Sequence, residues 1–169
     1  MKNIFLTGFM GCGKTSVGRI LAAKLGYRFV DLDQVIVERA GASINEIFAS
    51  HGEPAFRSLE SGALAEVAGR TGVVVSTGGG AVIAEGNRSV MRRSGAIVNL
   101  TATAEAIAAR VSGDSERPLL KDDASVERIR TMLGGREGFY ADADLRIDTT
   151  GKTVEAVAAE IVQYLKELQ

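Results

Sequence analysis

The stretch Gly8-Phe9-Met10-Gly11-Cys12-Gly13-Lys14-Thr15 constrains this chain more than any other part of it. It has the form G-x-x-x-x-G-K-[ST], and each fixed position has a physical reason. Glycines allow successive backbone N–H groups to turn inward and form an anion-binding nest. A helix that starts at the loop adds the positive end of its dipole. Lys14 is placed to reach the β- and γ-phosphates of a nucleotide, and the Thr15 hydroxyl to ligate Mg²⁺. Chance produces such a pattern in about one chain in a hundred of this composition. The surroundings make it rarer still. Ile4-Phe5-Leu6 before it reads as a buried strand, and Val17, Ile20, Leu21 and Leu25 after it recur at helical spacing up to a Gly26 stop.

The rest of the chain alternates in the same way. Phe29-Val30 reads as a second strand ending at Asp31. Ser43-Ile44-Asn45-Glu46 fits a capping box opening a helix with Ile47 and Phe48, and another helix is expected from about Glu53 to Gly69. Val73-Val74-Val75 is a β-branched strand stopped by Gly78-Gly79-Gly80. Ala96-Ile97-Val98-Asn99-Leu100 is a further strand, with Thr103 capping the helix after it, and Leu145-Arg146-Ile147 is a last strand. Val154, Val157, Ala158, Ile161, Leu165 and Leu168 line one stripe of a final helix. Five short apolar strands separated by helices predict an α/β fold of three layers, α/β/α, with a five-stranded parallel sheet in one domain over residues 1–169. The one long polar stretch, Gly113 to Asp123, is of a length that often forms a functional lid, expected over about 113–124; an ordinary surface connection is the alternative.

Composition narrows the function classes. Glycine is 20 of 169 residues with only 2 prolines, and there is no Gly-X-Y period, which excludes collagen and argues against a disordered linker. A net charge of −1 gives no footprint for general nucleic-acid binding. One cysteine, Cys12, forms no internal disulfide, which favours a reducing, cytoplasmic setting. No apolar run reaches membrane-spanning length, and Lys2 with Ile4-Phe5-Leu6 imitates a signal peptide only until Gly8, Gly11, Gly13 and Lys14 break the run. Cys12 sits where a helix N-terminus can lower a thiol's pKa; the alternative is a variable loop position of no consequence.

Among nucleotide-binding loops of this type, GTPase switches require D-x-x-G after the third strand and a later N-K-x-D. Asp148-Thr149-Thr150-Gly151 fits the first but lies too close to the C-terminus, and the second is missing. Motor-type ATPases require an apolar strand ending in an acid, whereas Val73-Val74-Val75 runs into Ser76-Thr77-Gly78. Size, topology and the lid-like stretch favour a small-molecule kinase. Asp31-Leu32-Asp33, Phe56-Arg57-Ser58-Leu59-Glu60, Thr77-Gly78-Gly79-Gly80-Ala81, Arg117-Pro118-Leu119-Leu120 and Arg136-Glu137-Gly138-Phe139-Tyr140 follow the phosphate-binding loop in that order. With it they resemble the shikimate kinase family, of the nucleoside monophosphate kinase-like fold, over essentially the whole chain.

The resemblance implies a set of roles. ATP would lie on Gly11, Cys12, Gly13, Lys14, Thr15 and Ser16, with Arg117 folding over its phosphates, Arg110 packing on adenine and Lys152 on the adenine side. Shikimate would be held in a region of about 32–60 and beyond, by Asp33, Arg57, the Gly78, Gly79 and Gly80 backbone, and Arg136. Asp33 would accept the proton of the attacking hydroxyl, and Lys14 and Arg117 would offset charge in the transition state. Asp31, with Thr15, would help hold the Mg²⁺ water shell. Planar guanidinium forks at Arg57 and Arg136 suit a carboxylate, and Glu60 lies one turn after Arg57 to orient it. Phe48 and Phe56 read equally as pocket wall or core, and His51 has no assigned role. Gly138 stands where the family commonly has proline, and Gly134-Gly135 weaken the helix around Arg136. A monomer is expected. Two rivals stay open: another small kinase of this fold, such as a gluconate kinase, and a non-catalytic nucleotide-binding module.

Overall fold

A computed structural model describes residues 2–111 and 125–169. Arg117 and the expected lid fall outside the described residues. Five strands, β1 (Asn3–Thr7), β2 (Arg28–Asp31), β3 (Val73–Ser76), β4 (Gly95–Thr101) and β5 (Leu145–Asp148), form one parallel sheet in the order β2-β3-β1-β4-β5. Every residue of β1 and β3 is buried. Successive strand residues point to opposite faces, so both faces of the sheet are covered, as a parallel sheet requires. Helices α1 (Lys14–Leu25), α2 (Leu32–Ala40), α3 (Ile44–Ala68), α4 (Glu85–Ser94), α5 (Ala104–Val111), α6 (Val126–Tyr140) and α7 (Val154–Glu167) supply that cover. Packing pairs α1 with α7, α3 with α2 and α4, and α5 with α6. Phe5, Leu6, Leu21, Leu64 and Ile107 are fully buried at the centre, where truncating one leucine to alanine costs about 2–5 kcal/mol.

The local signals act where the sequence puts them. Gly26 ends α1 in the left-handed conformation at φ 68°, its N–H reaching back to the Ala22 and Ala23 carbonyls. Ser43 accepts from the Glu46 N–H at 3.1 Å and opens α3, and Thr103 does the same for α5 through Ala106. The two expected helices between Ser43 and Gly69 are halves of α3, interrupted at Gly52, whose φ 81° and ψ 173° no helix contains, with Pro54 just inside the second half. The stripe of α7 stops short of expectation: Leu168 is the C-cap and 62% exposed, because the helix turns it away from the core. A short 3₁₀ turn, Ala81–Ile83, follows the glycine triplet. Among the described residues no helix is long and apolar enough to cross a membrane.

This topology gathers the loops that matter. The carboxyl ends of β1, β2 and β3 lie side by side, with Leu6 and Asp31 both in register with Ser76. Open parallel sheets bind ligands at that edge.

Candidate active site

The phosphate-binding loop leaves β1 and enters α1 through backbone forms that side chains resist. Gly11 and Gly13 have φ 80° and 87°. At Gly8, φ is 137° and a Cβ would stand 2.2 Å from the Leu100 carbonyl oxygen, so only glycine fits. Gly13 is the N-cap of α1 and offers no side-chain acceptor, which leaves the first N–H groups of the helix for a ligand. Lys14 donates to the Gly8 and Phe9 carbonyls at 2.6 and 3.0 Å, its ammonium held inside the loop. A cleft of about 480 Å³ opens along this loop; Thr15, Ser16, Asp31, Asp33, Gly78, Gly79, Arg110 and Lys152 all line it. Arg110 reaches across to the Gly11 carbonyl at 2.8 Å and the Thr149 hydroxyl at 3.3 Å. Lys152 pairs with Glu160 at 2.9 Å on the cleft's rim. The Asp148–Gly151 stretch is the turn into α7, with Asp148 accepting from the Thr150 N–H.

Cys12 belongs to the core. It is 1% exposed, and burial pushes its thiol above the ordinary value despite nearby Lys14 and Arg110. Desolvation outweighs the helix end here, so the loop position does not make a reactive thiolate.

Asp31 closes β2 and caps α2, accepting the Asp33 N–H at 3.0 Å. One residue thus sets both the strand end and the helix start, and it brings the Asp33 carboxylate to the cleft. The Thr15 hydroxyl lies 3.5 Å from the Ser76 hydroxyl, on the strand register shared with Asp31. Among the described residues no cluster of three His, Cys, Asp or Glu side chains is built to cage a metal. A hydroxyl and a carboxylate at the end of a phosphate cradle are nevertheless the donor set that Mg²⁺ uses when nucleotide oxygens and water complete its shell. The residues fit the ion.

At the other end of the cleft the groups are side chains. Arg57, in the second half of α3, pairs with Glu60 at 3.0 Å and Glu53 at 3.3 Å. Its guanidinium lies against the glycine triplet so closely that a Cβ on Gly80 would meet it at 2.5 Å. A Cβ on Gly78 would stand 2.7 Å from Glu60 Oε2 and 3.2 Å from Asp33 Oδ1, so both acids converge on that glycine. Glu60 is 1% exposed, and burial raises its pKa against the pull of Arg57. Arg136, on α6, is 8% exposed. It stands 5.6 Å over the Phe9 ring and close to Gly79. Nη1 of Arg136 and Oε2 of Glu60 are buried without a hydrogen-bond partner among the described residues. Such groups are rare in native proteins and fit places where water, an ion or a ligand completes the pairing. Phe56 resolves to core, buried at 4.9 Å from the Phe48 ring and under the Arg57 guanidinium.

Two supports escaped the sequence. The Tyr140 hydroxyl donates to the Gly79 carbonyl at 2.6 Å, and burial pushes its pKa up to about 12, so it stays a donor. Its place one helical turn after Arg136 was the available signal. Asn87 and Arg88 hold the carbonyls of Ala81, Val82 and Ile83 from α4; carbonyl acceptors leave no trace in a sequence.

A phosphate cradle facing a carboxylate-ready pocket, on a five-stranded parallel sheet, defines an ATP-dependent small-molecule kinase of the phosphate-binding-loop class. The sequence profile described as shikimate kinase matches residues 10–166. The shikimate kinase of Geobacter metallireducens is 60% identical over 98% of this chain and 93% of its own length; that of Geobacter sulfurreducens is 56% identical over 99% and 93%. Among solved structures, the shikimate kinase of Acinetobacter baumannii in complex with shikimate superposes with a TM-score of 0.96 at 36% identity, covering 100% of this chain and 95% of that one. The chain belongs to the shikimate kinase family.

Proposed function

We propose that this protein transfers the γ-phosphoryl group of ATP to the 3-hydroxyl of shikimate, a step toward chorismate and the aromatic amino acids. The observation that carries the reading is the pair of unpartnered buried atoms, Arg136 Nη1 and Glu60 Oε2, flanking the glycine triplet beside the phosphate cradle. An acid bearing hydroxyl groups answers both, since its carboxylate pairs with Arg136 and Arg57 and its hydroxyls offer donors. Asp33, on the same cleft wall, orients the attacking hydroxyl and takes its proton. Gly11, Cys12, Gly13, Lys14, Thr15 and Ser16 bind the phosphates; Arg110 and Lys152 flank the base. Arg117 acts from the stretch 113–124 as the lid arginine. Bound at Thr15 and Asp31, Mg²⁺ would neutralise phosphate charge; the chain's own part is to hold that site open next to Lys14. The protein works as a cytoplasmic monomer and a single domain, a reading supported by its lone buried thiol and by the one five-stranded sheet whose inner strands β1 and β3 are buried throughout.

The test is a coupled ADP-release assay with ATP, Mg²⁺ and either shikimate or gluconate. Shikimate-dependent turnover is expected, and none with gluconate. Turnover with gluconate alone would select the rival kinase. Tight ATP binding without transfer to either acid would make the chain a nucleotide-binding module.

A further inference from the structure

Arg136 has to keep its place on an intrinsically weak helix. Gly134, Gly135 and Gly138 all lie in α6 within two residues of it. None of the three takes a positive φ. A Cβ on any of them would meet nothing within 4 Å. These glycines therefore weaken the helix without being required by packing, yet Arg136 is buried and aimed at the glycine triplet.

Fastenings on the last turn of α6 offset this. Glu137 forms a two-pronged pair with Arg146 at 2.7 and 3.2 Å, and Tyr140 holds Gly79. The third fastening comes from another helix. Arg88 of α4 donates through Nη1 to the Val82 and Ile83 carbonyls at 2.7 and 2.9 Å, gripping the turn that continues the glycine triplet. Its Nε pairs with Asp142 at 3.2 Å, and its guanidinium lies 5.1 Å over the Phe139 ring. Arg92 shares Asp142, and together the two arginines hold that carboxyl below its ordinary range. One side chain, 18% exposed, thus touches both the turn after the triplet and the residues that follow Arg136.

We propose that Arg88 is a positioning residue that locks the helix of Arg136 to the Gly78–Gly80 loop, and so sets the affinity for the substrate carboxylate without contacting it. The proposal rests on the role given to Arg136 above. A purely structural Arg88 would instead lower stability and weaken both substrates alike.

The test is steady-state kinetics on the full chain. Arg88→Ala is expected to raise the KM for shikimate about tenfold, the scale of one lost charged hydrogen-bond set, with the KM for ATP within about twofold. Adding Gly138→Ala, where a methyl group has room, should restore most of that loss by stiffening α6. An unmoved shikimate KM, an equal loss for both substrates, or no rescue by Gly138→Ala overturns the proposal. Should Arg88→Ala fail to fold, Asp142→Asn carries the same expectation at about threefold, and no rise overturns it. Amide hydrogen exchange over residues 134–140 needs no substrate: it should quicken in the variant by about tenfold, and unchanged exchange overturns the coupling. Wild-type protein without shikimate turnover would overturn the functional reading alone, since the exchange measurement still decides the inference.

Discussion

The two ends of the cleft are built from different materials. The phosphate cradle is eight consecutive residues, Gly8 to Thr15, and what it offers a ligand is backbone N–H groups and a helix end. The acid pocket proposed above draws Asp33, Arg57, the glycine triplet and Arg136 from four separate stretches, and its charged groups are side chains set around that triplet. A backbone cradle is indifferent to the identity of several of its residues but intolerant of any Cβ at its glycines. A side-chain pocket is the reverse: its chemistry fails with one substitution, while at Gly78 and Gly80 an added Cβ would first meet the ends of side chains.

Substitutions test that contrast. The largest effect is expected from Asp33→Asn, which should cut kcat by about 10²-fold or more, the scale of a lost general base; near-normal turnover would remove Asp33 from the mechanism. Arg57→Ala comes next, with the shikimate KM rising about 30-fold and ATP affinity nearly intact, as for a half-buried arginine that loses charged hydrogen bonds. Loss of ATP binding would show the pocket to be misassigned. A matched pair of glycine variants then separates the two materials. Gly8→Ala drives a Cβ into a backbone carbonyl at positive φ, and should lower Tm by about 5–10 °C, equivalent to about 2–3 kcal/mol. Gly80→Ala meets only the end of the Arg57 side chain; it should leave Tm within about 2 °C and raise the shikimate KM about tenfold. Equal loss of Tm in both would erase the distinction.

The smallest effect concerns pH. Burial raises the Glu60 pKa in the folded protein above its ordinary 4.5, so its stabilising contribution is present below that value and is lost as pH rises through the folded pKa. Glu60→Gln does not titrate. Urea midpoints of wild type and variant should therefore shift in favour of the variant between pH 4 and pH 7; a constant difference would mean that the carboxyl is better solvated than its surroundings indicate.

What the sequence made legible follows the same division. β1, the phosphate loop and α1 are spelled by adjacent residues, and so are the Ser43 and Thr103 caps and the break before Pro54. The α4 helix was not legible, because its sequence is almost wholly polar and buries only Asn87 and Met91. The acid pocket emerged from a family likeness and not from spacing: nothing local in Phe56-Arg57-Ser58 announces that its guanidinium will lie on Gly80. Cys12 shows two effects in competition. Its position next to α1 favours a low pKa, but its side chain packs into the core and burial prevails. Tyr140 and Arg88 were hidden for different reasons. Tyr140 acts on the carbonyl of Gly79, far away in the chain, and Arg88 on the carbonyls of Val82 and Ile83, near in the chain but in a turn whose acceptors no residue type marks.

Asp31 has a bearing on how related chains are read. Its carboxylate caps α2 by accepting the Asp33 N–H, whereas Asp33 gives that cap only its backbone. A descendant that had lost phosphoryl transfer would still gain folding stability from an N-cap residue at position 31, and asparagine or serine would serve as well as aspartate, so a capping residue there reports on the fold and not on the chemistry. Asp33 does not cap α2 with its side chain; as the acid of the first turn it adds the smaller helix-dipole contribution. With the role proposed for Asp33 above, the second acid is the better witness when sorting working enzymes from inactive copies.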